Sequence, residues 1–185
     1  MTVWCRSVRY VALLRGINVG GKTLIKMADL KACFEELGFD QVSTYIASGN
    51  VLFDSGRTDA AKLEAKIEGA VKKQFGLPVR VVVLDRSAYR RIVKAIPEEW
   101  IGDAGVRANV AFVGRRANTG EIVRELRPDP AIEHVKAING AILWATKRDS
   151  LNRSVMRKLI AGAAYKEMTV RSLNTTRKLH ELIDG

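Results

Sequence analysis

Cysteine is nearly missing from this chain: Cys5 and Cys33 are the only two in 185 residues. Two thiols cannot build a disulfide framework, and the usage suits a reducing compartment. Histidine is equally scarce, with His134 and His180 alone. No HExxH or EF-hand pattern occurs, and neither histidine lies near a nucleophile-elbow sequence, so metal-hydrolase and Ser-His-Asp chemistry have no foundation here. No apolar run approaches the roughly 18 residues of a membrane span. The opening Met1-Thr2-Val3-Trp4-Cys5-Arg6 lacks the long apolar core of a signal peptide. These absences together predict a cytoplasmic protein with no metal, no cofactor and no membrane partner.

Negative charge is also short. Lys and Arg number 31 against 20 Asp and Glu, a formal net charge of +11. Residues 1–96 hold 16 basic and 9 acidic side chains, and residues 97–185 hold 15 and 11, so the excess is not a detachable tail. Two explanations compete. Lys and Arg attract polyanions by displacing counterions from phosphate, and a basic chain also simply stays soluble. With 47% apolar and 28% charged residues the composition is that of a folded protein rather than a disordered one. The length accommodates one domain or two small ones.

The hydrophobic pattern resolves into a repeated plan. Val8–Leu14 reads as a strand, stopped by Arg15-Gly16. Met27, Leu30, Phe34 and Leu37 share one helical face, and Gly38 is placed to end that helix. Gln41–Ala47 and Val51–Asp54 are strand-like runs joined by Ser48-Gly49-Asn50, too short a link for a crossover, which predicts an antiparallel hairpin. Leu63, Ile67, Val71 and Phe75 form a buried helical stripe closed by Gly76-Leu77-Pro78. Val79–Leu84 is a β-branched strand. Tyr89, Ile92, Val93 and Ile96 then mark a helix that carries Arg86, Arg90 and Lys94 on another face, a stripe read as solvating that helix.

Pro97–Gly105 loses periodicity and marks a boundary. Beyond it the order returns: strand Arg107–Val113, helix Thr119–Leu126, strands Ile132–Ile138 and Ala141–Thr146 around Asn139-Gly140, a helix through Leu151, Val155 and Leu159, strand Tyr165–Arg171, and a last helix that Asn174 is placed to cap. The fold class is therefore α+β, a tandem duplication of two ferredoxin-like βαββαβ units, residues 1–97 with an added helix and residues 98–185 with a C-terminal helix. Trp4, Trp100 and Trp144 sit among apolar neighbours and read as packing residues.

Gly16-Ile17-Asn18-Val19-Gly20-Gly21-Lys22-Thr23 matches the phosphate-binding pattern G-x-x-x-x-G-K-[ST]. Val81-Val82-Val83-Leu84-Asp85 imitates the strand whose aspartate holds magnesium. A P-loop, however, requires a parallel sheet and a helix that starts directly at the lysine. Here the helical face begins at Met27 and a hairpin follows, and Asp85 equally fits a helix cap. A P-loop-like nucleotide-binding enzyme using Gly16–Thr23 is thus an alternative rather than the main reading.

Three stretches resemble a known family. Leu13-Leu14-Arg15-Gly16-Ile17-Asn18-Val19-Gly20-Gly21, Ala47-Ser48-Gly49-Asn50-Val51-Leu52-Phe53, and Thr169-Val170-Arg171-Ser172-Leu173-Asn174-Thr175 followed by Lys178-Leu179 together resemble a bacterial domain-of-unknown-function family, number 1697. The resemblance spans nearly the whole chain. It implies a cytoplasmic bacterial protein of two ferredoxin-like halves and carries no assigned activity. In that pattern the residue after the loop lysine need not be Thr, which weakens the nucleotide reading. Ser172 departs from the pattern, where Asn is expected.

The same stretches are polar where core packing does not demand polarity. Arg15, Asn18, Gly20, Gly21 and Lys22 share one loop, Ser48 and Asn50 a hairpin turn, and Arg171, Asn174, Thr175 and Lys178 a strand-to-helix junction. Residues 146–180 hold nine basic and two acidic side chains. Arginines beside a helix N-terminus receive phosphate or carboxylate readily. The expectation is an anionic ligand, a nucleic-acid backbone or a phosphorylated small molecule, bound in an interdomain cleft without known catalysis. Each stretch also has a purely local explanation, as glycine turns, hairpin turn chemistry and a helix cap. The RNP string of RNA-recognition sheets is missing, which argues against base stacking. A small-molecule enzyme of unknown reaction, orienting its substrate with Arg15, Asn18, Asn50 and Asn174, is a further alternative.

Overall fold

The computed structural model describes residues 7–21, 24–115 and 117–185. Thr23 and Lys22, which complete the G-x-x-x-x-G-K-[ST] match, and Trp4 lie outside the described residues. The chain divides into two compact units: one runs to Tyr89 and takes in Leu179–Gly185, the other is Arg90–Lys178. Each holds a four-stranded antiparallel sheet.

In the first unit β1 (Ser7–Leu14), α1 (Met27–Glu36), β2 (Asp40–Tyr45), β3 (Asn50–Gly56), α2 (Ala60–Phe75) and β4 (Val81–Asp85) follow in order, then α3 (Arg86–Lys94). The strand order is β2-β3-β1-β4. Alternation on β1 and β3 turns Tyr10, Ala12, Leu14, Val51 and Phe53 into one core with Leu30 and Phe34 of α1 and Leu63, Ile67 and Val71 of α2. Phe53 is its aromatic centre, 4.4 Å from the Phe39 ring and 5.5 Å from Tyr10. Gly76 closes α2 at φ 69°, as its sequence position suggests, and Asp59 starts it by accepting from Ala61 N–H at 2.8 Å. Asp85 accepts from Ala88 N–H at 2.7 Å, so it caps α3. The sheet is antiparallel throughout, not the parallel sheet on which a P-loop rests.

Strand β4 is an edge strand, and among the described residues no strand lies on its far side. Glu68 and Glu64, one turn apart on α2, accept instead from the N–H groups of Val81 (2.9 Å) and Val83 (3.0 Å).

The second unit repeats the order: β5 (Val106–Val113), α4 (Thr119–Leu126), β6 (Glu133–Ile138), β7 (Ala141–Lys147), α5 (Met156–Ala161) and β8 (Met168–Ser172), then α6 (Leu173–Asp184). Its strand order, β6-β7-β5-β8, is that of the first sheet. Ala111, Val113, Ile142 and Trp144 pack against Ile122, Met156 and Leu159. Trp100 and Trp144 are both buried, in keeping with the packing role read from sequence.

Two elements differ from the sequence reading. The helix expected from Leu151 begins only at Met156, because Ser154 Oγ accepts from Met156 N–H (3.2 Å) and the buried Glu133 carboxylate accepts from Val155 N–H (3.0 Å), fixing the helix start there. Strand β8 begins at Met168 rather than Tyr165. Its partner β5 ends at Val113, opposite Met168, and Ala163–Glu167 forms a tight 3-10 turn instead. Among the described residues no helix is long and apolar enough to cross a membrane.

Candidate functional site

In the first unit the loop after β1 and the β2–β3 turn are brought together, and Asn18 is the clasp. Its amide nitrogen donates to Ala47 O (2.8 Å) and Ile25 O (3.0 Å), while its Oδ1 accepts from Ile25 N–H (2.8 Å). Asn18 itself holds φ 56°, a left-handed conformation that asparagine tolerates better than most residues. Leu14 N–H donates to Gly49 O at 2.8 Å. Gly49 has φ +77°, and a Cβ there would meet Ile17 and Leu14 atoms at 2.9 Å. This is a close approach that only glycine permits.

Asn50 is completely buried and donates to Tyr45 O and Ser48 Oγ, both at 2.9 Å. The side chains of Asn18 and Asn50 thus hold the chain to itself, and Ser48 accepts one of these bonds. Arg15 is half-buried at the loop entrance, and Gly20 and Gly21 have open space on their Cβ sides.

The second unit carries the third stretch. Arg171 is buried and donates to Thr169 Oγ1 (2.7 Å) and Val170 O (2.9 Å). The expected cap of the last helix is displaced by two residues. Ser172 rather than Asn174 accepts from the Thr175 N–H (3.2 Å), and its hydroxyl also donates to Thr175 Oγ1 (3.0 Å). Helix α6 therefore begins at Leu173, and Asn174 stands exposed in its first turn. Lys178 is exposed one turn further on.

Asn174 lines a cleft of about 410 Å³ within this unit. Its other polar walls are Arg107, Asn109 and Arg148, with Asp103 contributing one carboxylate and Trp100 an apolar side. The cleft exists because β8 is shorter than β5. Pairing between the two stops at Asn109 opposite Ser172, so Val106–Ala108 continue past the end of β8 and the chain turns into α6 beside them. Asp103 Oδ1 accepts from Gly105 N–H (2.7 Å), and Arg148 Nε donates to Ala104 O (2.7 Å), which fixes the loop that forms the far wall. Among the described residues the side chains of Arg107, Asn109 and Asn174 have no protein hydrogen-bond or ion-pair partner. Two guanidinium groups, two carboxamides and the positive end of a helix dipole then line one concavity that holds a single carboxylate.

Sequence reasoning found Asn174 through its motif but missed Arg107, Asn109 and Arg148. The signal that could have found them was the predicted pairing itself. Arg107 lies opposite Thr146, just before Arg148, and Asn109 lies opposite both Trp144 and Ser172. Among the described residues no group of three or more His, Cys, Asp or Glu is arranged to hold a metal ion.

Comparison with known proteins gives family and fold. No curated protein matches the chain. A solved structure described as conserved bacterial protein SP0830 from Streptococcus pneumoniae is similar to it, with a TM-score of 0.83 and 25% sequence identity over 96% of this chain and 99% of that one. A family model described as a protein of unknown function, DUF1697, matches residues 8–144, well over half the length and including the first two of the three motif stretches. The chain belongs to the DUF1697 family.

Proposed function

We propose that this protein binds an anionic small molecule, phosphorylated or carboxylated, in the cleft between the start of β5 and the start of α6. The observation that carries the reading is the convergence of Arg107, Asn109 and Asn174, whose side chains have no protein partner among the described residues, on a cleft that also holds Arg148. Groups of this kind satisfy their hydrogen bonding through water or a ligand, and two arginines select for negative charge. The volume of about 410 Å³ suits a small molecule, since ligand pockets run to roughly 300–1,000 Å³. Thr175 and Lys178 on α6 are proposed as further anion contacts of the second unit, and Arg15, Gly20 and Gly21 as anion contacts of the first unit's own loop. Asn18, Ser48 and Asn50 are assigned to shaping that loop. No catalytic step is assigned.

The two halves are read as duplicated ferredoxin-like units, divided near residue 97. Identical element order and identical strand order support this reading. The scarcity of cysteine supports a cytoplasmic setting.

Calorimetric titration of the full chain with inorganic phosphate and ribose 5-phosphate tests the function. Millimolar or tighter binding is expected. Arg107→Ala should weaken it about tenfold, the worth of one charge-assisted hydrogen bond. Absence of binding for both ligands at low salt refutes the reading. The competing nucleic-acid reading rests on the +11 charge. It requires retardation of short RNA or DNA that weakens from about 50 to 200 mM salt.

A further inference from the structure

The anion cleft has a neighbour. A second cleft, of about 230 Å³, is also lined by Arg107 and Asn109, so the two meet at these residues. Its remaining character is different. Trp144, Met156, Ile160 and Val170 give it apolar walls. Ile160 is 53% exposed, and among the described large hydrophobic residues only Leu24 and Val19 are more so. The remaining polar side chains that line it are already committed: Thr146 and Ser154 both bond the buried Glu133 carboxylate, and the exposed Arg157, which adds a cation to the wall, donates to Asn152 O (3.2 Å). An exposed isoleucine facing a largely apolar cleft, beside two polar side chains without protein partners among the described residues, is the arrangement of a ligand site with an apolar compartment and an oriented polar entrance.

We propose that the ligand is an amphipathic anion. Its phosphate or carboxylate lies between Arg107 and Asn174, and a short aliphatic or aromatic body extends past Arg107 onto Trp144 and Ile160. This rests on the anion-binding reading above and adds the class of molecule to it. The apolar cleft, about 230 Å³, has room for a single alkyl chain or one ring rather than a larger or branched body. Arg107, which lines both clefts, marks the junction between head and body.

Calorimetric titration of the full chain with inorganic phosphate, butyl phosphate and octyl phosphate, the last kept below its micelle concentration, separates the two statements. Each methylene that enters the apolar cleft should tighten binding by about fourfold. Even partial burial of the longer chain therefore makes octyl phosphate at least tenfold tighter than butyl phosphate. Ile160→Glu, at an exposed position where folding tolerates it, should collapse that ratio to within about twofold, a ratio in which the added charge cancels because both esters carry the same head group. Phosphate binding with equal affinity for the two esters overturns the amphipathic ligand and leaves the anion site standing. A ratio that survives Ile160→Glu places the chain elsewhere and overturns it too. Failure of all three probes to bind removes both the inference and the reading beneath it.

Discussion

Replacing Asn18 is the sharpest test of how the first-unit loop is held. Its carboxamide makes three hydrogen bonds to backbone, to Ala47 O, Ile25 O and Ile25 N–H, at 2.8 to 3.0 Å. At about 1 kcal/mol net each, Asn18→Ala forfeits about 3 kcal/mol. Alanine must also adopt the left-handed backbone of φ 56°, at a further cost of about 1 kcal/mol. Asn18→Gly loses the same three bonds and escapes the backbone penalty, so it should be the milder variant by about 1 kcal/mol. Urea unfolding monitored by circular dichroism is the assay. With a slope of about 2 kcal/mol per molar, the alanine variant should unfold about 2 M earlier and the glycine variant about 1.5 M earlier. Losses below about 1 kcal/mol in both variants would show that the loop and the hairpin turn do not depend on the clasp.

Gly49→Ala should destabilise by about 2–3 kcal/mol, because its Cβ would lie 2.9 Å from Leu14 and Ile17 atoms at φ +77°; a midpoint shift below about 0.5 kcal/mol contradicts the close approach. Glu133→Ala strips a buried acceptor from Ser154, Thr146 and Val155 and should cost about 3 kcal/mol, with Glu133→Gln recovering most of it. Equal losses in the two variants would mean that the negative charge itself, rather than shape or a neutral hydrogen-bonding pattern, is what the site requires. Burial, and then the charge of Glu36, push the Cys33 thiol upward, so little thiolate is present near pH 8. Iodoacetamide should leave Cys33 unmodified in the native protein and label it rapidly in denaturant, as read by peptide mass mapping. Rapid native labelling contradicts the burial. Asp59→Ala removes the α2 cap and should cost about 1 kcal/mol by the same urea assay, an unchanged midpoint being the contrary result.

The architecture was largely legible because its signals are local. Apolar runs of strand length such as Val8–Leu14 and the stripe Leu63, Ile67, Val71 each declare an element within a dozen residues, and Ser48-Gly49-Asn50 and Asn139-Gly140 declare antiparallel neighbours. What failed was what distant residues decide. The start of α5 is set by Glu133, over twenty positions upstream, and the start of β8 by where β5 ends. The candidate site divides in the same way. Asn174 stood out as part of a polar stretch on a helix start. Arg107 and Arg148 looked like ordinary surface cations, since only the pairing of β5 with β7 and β8 makes them neighbours of Asn174. The polarity of Asn18 and Asn50 was visible and its purpose was not, because a carboxamide offered to a ligand and one bonded to backbone are spelled alike.

The glutamates at Glu64 and Glu68 have a consequence beyond their helix. They occupy the hydrogen-bonding rim that a fifth strand would otherwise use. An open rim invites the same rim of another molecule, and stacks of such contacts are how sheet proteins polymerise. A pair of carboxylates satisfies the amides while repelling an identical copy. The first sheet is thereby terminated chemically along this rim, and changes that neutralise both side chains at once convert a closed boundary into a sticky one.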